Sequence, residues 1–480
     1  MKNITRVATA GLAFWCVAIS SALKADEPDT LKPCFLSGVK ERVKCASFEV
    51  PLDYSEPGRG SITLHATIVP AKAGTPAEDA FVVFAGGPGQ AAGEYGALTR
   101  VAFDAIRTKR DIVLLDQRGT GRSAGVQCKG DAVPEALSGL TAMARECMES
   151  ASIDVRHITM ENLVRDTEEA RARLGYTQLN LWGGSYGTRT VALYLRRYPE
   201  RVRSIIVDGV LPPDVSLFET AAQSAERAKH LIAQDCANNA VCAERFPTFE
   251  ADIDTLMTKA KAGELRYSGT DPVTGEPMEL KFLHGYAVEA LRGAFYLADT
   301  TTYLPLVVDQ AVNGDLGPLI ASLLGGTAVS ESMYLGTTYS ILCGDEVPRL
   351  TTEQARVAGE GSFAGDSYYQ FWKAGCDGWV STPPEPDALT MIGSDVPALV
   401  LSGNLDPITP PSMGEHFVKG FPNGRHIVVP GTGHNTSYVG CMPSLMAKFV
   451  ETLDVSALDA SCFDHLKRLP FAVGLNGNTE

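Results

Sequence analysis

The pentapeptide Gly183-Gly184-Ser185-Tyr186-Gly187 has the spacing of a nucleophile held on a sharp turn between a strand and a helix. Small residues flank such a serine because its backbone is strained and its neighbours pack closely. A serine hydroxyl is a weak nucleophile at neutral pH. It needs a base within hydrogen-bond reach and a third group that fixes the base's tautomer. The sequence supplies both downstream, acid first and histidine second. Ser402-Gly403-Asn404-Leu405-Asp406-Pro407 puts Asp406 on the loop after an apolar run, and Val428-Val429-Pro430-Gly431-Thr432-Gly433-His434 does the same for His434. Of the eight histidines, only His434 sits in a glycine-rich loop after a late strand; His65 lies inside a strand, and the others have no matching context.

Acyl transfer also requires two N–H groups aimed at the developing oxyanion. Tyr186, directly after the serine, is expected to supply one. The loop Gly86-Gly87-Pro88-Gly89 supplies the other, assigned to Gly87, since glycine lets the backbone approach a substrate carbonyl unobstructed.

These residues have to be positioned by a sheet. Ser61 to Pro70, Ala80 to Phe84, Asp111 to Leu115, Leu179 to Trp182, Val202 to Val207, Pro397 to Leu401 and Arg425 to Val429 read as strands. Glu161 to Leu174, Tyr186 to Arg197 and Pro443 to Leu453 read as helices between or after them. This alternation predicts an α/β fold with a mostly parallel central sheet and helices on both faces. The expected sites then fall at the carboxyl ends of the strands. From Pro212 helical runs dominate, including Glu219 to Ala233 and Tyr286 to Leu297, and clear buried strands are absent. The expected organisation is a core from 26–212 and 395–480, with an inserted, mainly helical cap at 213–394.

Lys2 and Arg6 precede an apolar run from Val7 to Val17 and then small residues, the pattern of a secretory signal peptide over 1–25. The run is too short to span a bilayer, so export to the periplasm or medium without stable membrane insertion is expected. Cleavage there removes Lys2, Arg6 and Lys24 and no acid, taking the formal charge from -15 to -18. Such an acidic surface disfavours nucleic acid and anionic membranes as partners. Ten cysteines remain besides Cys16, and in an oxidising compartment their spacing suggests neighbour pairs: 34 with 45, 128 with 147, 236 with 242, 343 with 376, 441 with 462. No spacing supports a metal site, and no cofactor is implied. Gly119-x-Gly121-x-x-x-Gly125 superficially matches a dinucleotide loop, but no helix follows directly to hold a pyrophosphate. Nothing sets an oligomeric state.

Taken together, Gly-Gly-Pro-Gly at 86 to 89, Asp-Gln-Arg-Gly-Thr-Gly-Arg-Ser at 116 to 123, Gly-Gly-Ser-Tyr-Gly at 183 to 187 and the Asp406 and His434 loops resemble the proline iminopeptidase and tripeptidyl aminopeptidase family of α/β-hydrolases. The resemblance implies the α/β-hydrolase fold and release of residues or short peptides from free N-termini, with the cap limiting access to chain ends. One position departs: proline iminopeptidases commonly carry histidine before Gly-Gly-Pro-Gly, and here Ala85 stands there, which points towards the tripeptidyl branch. An exopeptidase must bind a protonated amine, so carboxylates are needed near the acyl pocket. Glu94, Asp345 and Glu346 are the candidates. A carboxylesterase on the same three residues, and a non-catalytic binding module on the same scaffold, are the alternatives.

Overall fold

The computed structural model describes residues 31–128, 136–271, 274–281, 284–325 and 333–474; the expected signal peptide lies outside them. A nine-stranded sheet runs in the order β1-β2-β3-β5-β4-β6-β7-β10-β11. Its strands are β1 (Lys32–Cys34), β2 (Val43–Pro51), β3 (Ser61–Val69), β4 (Ala80–Phe84), β5 (Ile112–Asp116), β6 (Leu179–Gly184), β7 (Val202–Asp208), β10 (Ala398–Gly403) and β11 (Gly424–Val429). From β5 to β11 every neighbouring pair is parallel, whereas β1, β2 and β3 form an antiparallel flank joined to β5.

The inner strands are apolar throughout because both faces are covered. Side chains alternate between two cores. Val82 and Phe84 of β4, Leu181 of β6 and Val207 of β7 enter one, beside helices Met160–Leu174 and Gly187–Arg197. Phe81, Trp182, Ile206 and Leu401 enter the other, against Met446 and Phe449 of helix Met442–Thr452. The helix over Met160–Leu174 starts where Thr159 accepts the Asn162 N–H and stops at Gly175, whose φ of 81° a side chain would strain.

Between β7 and β10 the chain forms helices Leu217–Asn238, Phe249–Lys261, His284–Phe295, Ala298–Val312, Leu335–Asp345 and Ser367–Cys376, among shorter ones. The first four share a core of their own, with Ile253, Leu291 and Val308 at its centre. The last two instead pack Tyr339 and Tyr369 into the core of the sheet. Within this stretch, where no clear buried strand was expected, lies a hairpin of β8 (Arg266–Thr270) and β9 (Pro277–Lys281). Its residues are largely exposed, so it carries no apolar run.

The described residues hold five disulfides, Cys34–Cys45, Cys128–Cys147, Cys236–Cys242, Cys343–Cys376 and Cys441–Cys462, the neighbour pairs expected from spacing. Among these residues no helix is long and apolar enough to cross a membrane, and no cluster of side chains could hold a metal ion.

Candidate active site

Strand β6 ends at Gly184, and Ser185 follows with φ 55°, a left-handed conformation that side chains rarely adopt. Two backbone bonds hold it there. Ser185 N–H donates to the Asp208 carbonyl at the end of β7 (2.9 Å), and the Ser185 carbonyl accepts from Thr188 N–H (3.0 Å). The turn has no room for flanking side chains: a Cβ on Gly183 would stand 2.6 Å from the Gly187 carbonyl oxygen, and one on Gly187 would collide with the Phe84 carbonyl.

Asp406 is fully buried after β10, where Ile408 N–H (2.9 Å) and Thr409 N–H (2.8 Å) donate to its Oδ1. Its Oδ2 lies 2.7 Å from His434 Nδ1 and accepts from Thr409 Oγ1 at 2.8 Å. A carboxylate on Nδ1 fixes the proton there in the neutral ring and leaves the Nε2 lone pair available. His434 Nε2 is buried and has no hydrogen-bond partner among the described residues. Two contacts fix the ring's loop: His434 N–H donates to the Tyr296 carbonyl (2.7 Å), and the Tyr296 ring meets the imidazole edge-on with centroids 5.0 Å apart. The Asp406 and His434 loops also bond each other, Leu405 N–H donating to the Thr432 carbonyl (2.9 Å).

The serine and the histidine meet the same dipeptide. Asp208 holds the Ser185 amide, and a Cβ on the next residue, Gly209, would come within 2.9 Å of His434 Cε1. Burial pushes the Asp208 carboxyl up from its ordinary value, while hydrogen bonds from Ser437 and Thr436 pull the other way. Neither Asp208 nor Thr409 nor Tyr296 was singled out from sequence. For Asp208 a signal existed: an acid at the carboxyl end of an apolar strand, followed by glycine.

The Gly86 to Gly89 loop lies against the elbow, since a Cβ on Gly86 would be 3.0 Å from Ser185 Cβ. Gly87 has φ 107°, and its missing Cβ leaves space for Met333, whose Cε would otherwise be 2.7 Å away. Thr338 Oγ1 donates to the Pro88 carbonyl (2.6 Å), so helix Leu335–Asp345 braces this loop. The 116 to 123 motif is structural. Asp116 accepts from Gly93 N–H (2.8 Å) and Arg122 N–H (3.0 Å), and buried Arg118 makes paired bonds of 2.6 Å to Asp166.

The three acids expected to meet a substrate amine have different surroundings. Glu94 is exposed and lines a pocket of about 360 Å³ between Tyr95, Leu98, Val101 and Trp182 on one side and Asn435 and Tyr438, beyond His434, on the other. Asp345 is buried and accepts from the Tyr186 hydroxyl (3.0 Å); burial and, next, the neighbouring Glu346 push its carboxyl up to about 7. Glu346 is wholly enclosed. Arg189 Nη1 donates to its Oε1 and Leu217 N–H to its Oε2 (2.8 Å). This corrects the sequence expectation for Glu346: its charge is met from within the protein, as the counter-ion of a buried guanidinium.

With the fold and the geometry in view, comparison with known proteins places the chain. Residues 79–235 match the family model described as the alpha/beta hydrolase fold, and residues 362–462 match that of the TAP-like proteins. The chain is a serine hydrolase of the α/β fold. Its curated relatives include peptidases and a carboxylesterase. It is similar to serine protease Hip1 of Mycobacterium tuberculosis, 25% identical over an alignment 480 positions long that covers 87% of each chain. It is also similar to tripeptidyl aminopeptidase of Streptomyces coelicolor, 33% identical over 193 residues, 36% of each chain. Carboxylesterase B of M. tuberculosis is 29% identical over 289 residues, 52% of this chain and 55% of that one. Both matched stretches are thus similar to α/β hydrolases, and peptidases stand among the proteins the chain is similar to.

Proposed function

We propose that the chain is an exported serine aminopeptidase that releases residues or short peptides from free N-termini through an acyl-enzyme, with Ser185, His434 and Asp406 as its catalytic residues. The observation that carries the reading is an imidazole tied through Nδ1 to a buried carboxylate, with Nε2 unpartnered among the described residues, and packed on Gly209, next to the Asp208 whose carbonyl holds the amide of a serine in left-handed backbone.

In this reading His434 Nε2 takes the Ser185 hydroxyl proton as Oγ attacks the scissile carbonyl, and Asp406 stabilises the imidazolium that forms. The Gly87 and Tyr186 amides hold the oxyanion. The imidazolium then gives its proton to the leaving amine, and water, activated by the same nitrogen, hydrolyses the acyl ester. Residues 213–394 act as the cap, and the approach of Tyr296 to His434 supports their lying over the site. Exposed Glu94, in its pocket beyond the histidine loop, is the acid best placed to attract an α-ammonium. The five disulfides support an oxidising compartment.

The experiment is digestion of one peptide series with free and acetylated N-termini, followed by mass spectrometry. Cleavage confined to free amines is expected; equal cleavage of acetylated peptides removes the exopeptidase reading. Because one relative is a carboxylesterase, simple acyl esters belong in the same series. Ester turnover with intact peptides would make the chain an esterase.

A further inference from the structure

Asp208 presents two different groups to two different parts of the site. Its backbone carbonyl accepts the Ser185 amide at 2.9 Å. Its carboxylate faces the loop after His434, where Thr436 N–H (2.7 Å) and Ser437 N–H (2.8 Å) donate to Oδ2, together with the Ser437 hydroxyl (2.6 Å). Thr436 Oγ1 adds a bond to Oδ1 at 3.2 Å. Ser437 in turn accepts from the Trp182 indole N–H (2.9 Å), three residues before the serine on β6. Asp208, Thr436, Ser437 and Trp182 are all buried.

Charge-assisted bonds to a carboxylate that has no access to water are strong and directional. Every neighbour bonded to this carboxylate is a donor, so the ionised form is fully satisfied, and an amide in its place would set an NH₂ against backbone N–H groups. The bonds span the interval that matters. On one side is the residue that would attack, on the other Thr436 and Ser437, two and three residues past the base, and both are attached to one residue at the end of a third strand, the serine through its backbone carbonyl and the loop through its carboxylate.

We propose that Asp208 is a positioning residue that fixes the spacing between Ser185 and His434, its carbonyl locating the serine's backbone and its carboxylate locating the histidine's loop. This rests on the assignment of Ser185 and His434 as nucleophile and base. Reacting groups displaced by about 1 Å can lose roughly 10²-fold in rate. A device of this kind acts on the chemical step and leaves substrate binding alone.

The test starts with a fluorophosphonate probe on the full chain with its disulfides intact. Labelling of the wild type that Ser185→Ala abolishes sustains the underlying assignment; labelling that survives in Ser185→Ala overturns that assignment, whatever Asp208 does. Asp208→Asn is then compared with Val50→Ala, a core truncation in the flanking strand β2 that touches none of these residues, with rates expressed per folded molecule. The expected result for folded Asp208→Asn is a fall of about 10²-fold in kcat and in probe acylation, with KM within about threefold. Folded Val50→Ala keeps its kcat. A folded Asp208→Asn with kcat within threefold of wild type overturns the proposal. If Asp208→Asn does not fold, Ser437→Ala decides: it removes two side-chain bonds and keeps the backbone donor. A fall of about tenfold in kcat at constant KM supports the positioning role, and an unchanged kcat overturns it.

Discussion

The Tyr186 hydroxyl donates to Asp345 Oδ2 at 3.0 Å, linking the residue after the serine to the last turn of helix Leu335–Asp345. Burial, then repulsion from Glu346, raises the Asp345 carboxyl to about 7, so the folded protein keeps a proton that the unfolded chain releases near pH 4. Linkage then fixes the sign. As pH climbs from about 4 to about 7 the folded state binds more protons than the unfolded one, and stability falls. Asp345→Asn, neutral and similar in shape, is expected to lose that slope. Its melting temperature should match the wild type near pH 4 and exceed it at pH 8; parallel melting curves for the two across this range would contradict the assignment.

Replacing Ser185 by alanine should lower turnover by about 10⁶ while leaving the fold intact, if the three residues act as a unit. Asp406→Asn should cost about 10⁴, because the amide no longer fixes the tautomer in which Nε2 is free. Steady-state rates on the peptide found active in the N-terminus series provide the measurement. A loss smaller than about tenfold for Ser185→Ala would remove the serine from the chemistry.

Glu346 and Arg189 form a buried pair, and the guanidinium also donates to the Pro212 carbonyl at 3.3 Å. Removing one partner from such a pair typically costs about 3 to 5 kcal/mol, because the other charge is left buried alone. Glu346→Ala should therefore destabilise the fold by that order in a urea titration. The double variant Glu346→Leu/Arg189→Leu should recover part of the loss, since it buries no charge. A double variant less stable than both singles would mean that Arg189 serves mainly through its carbonyl partners.

Cys343–Cys376 joins helix Leu335–Asp345 to helix Ser367–Cys376 across 33 residues. Closing a loop of that length stabilises a fold by roughly 2 to 5 kcal/mol, mainly by restricting the unfolded chain. Cys343→Ala/Cys376→Ala should melt lower and, because Thr338 braces the Gly86 to Gly89 loop from the first of these helices, lose activity before the sheet unfolds. Activity and far-ultraviolet circular dichroism followed along one thermal ramp test this; coincident loss of both would show that the bridge acts only globally.

The sequence by itself determined the sheet's inner strands, because strands covered on both faces must be apolar without interruption, and glycine stands at or within three residues after the end of each such run, where the chain turns to a loop. Disulfide partners were legible for a related reason: short spacing makes the neighbour the easiest sulfur to reach. The flank β1 and β2 and the hairpin β8–β9 went unread, since exposed and half-exposed strands carry little hydrophobic signal. Only the tertiary structure decided which acids do what. Glu346 is a counter-ion because Arg189 arrives from another helix, Asp345 meets a hydroxyl, and Glu94 lines a surface pocket. Asp208 is the plainest case, since its partners at 436 and 437 lie 228 and 229 residues further on. A carboxylate's role follows from the donors that surround it, and those are brought together by folding across distances that local spacing does not encode.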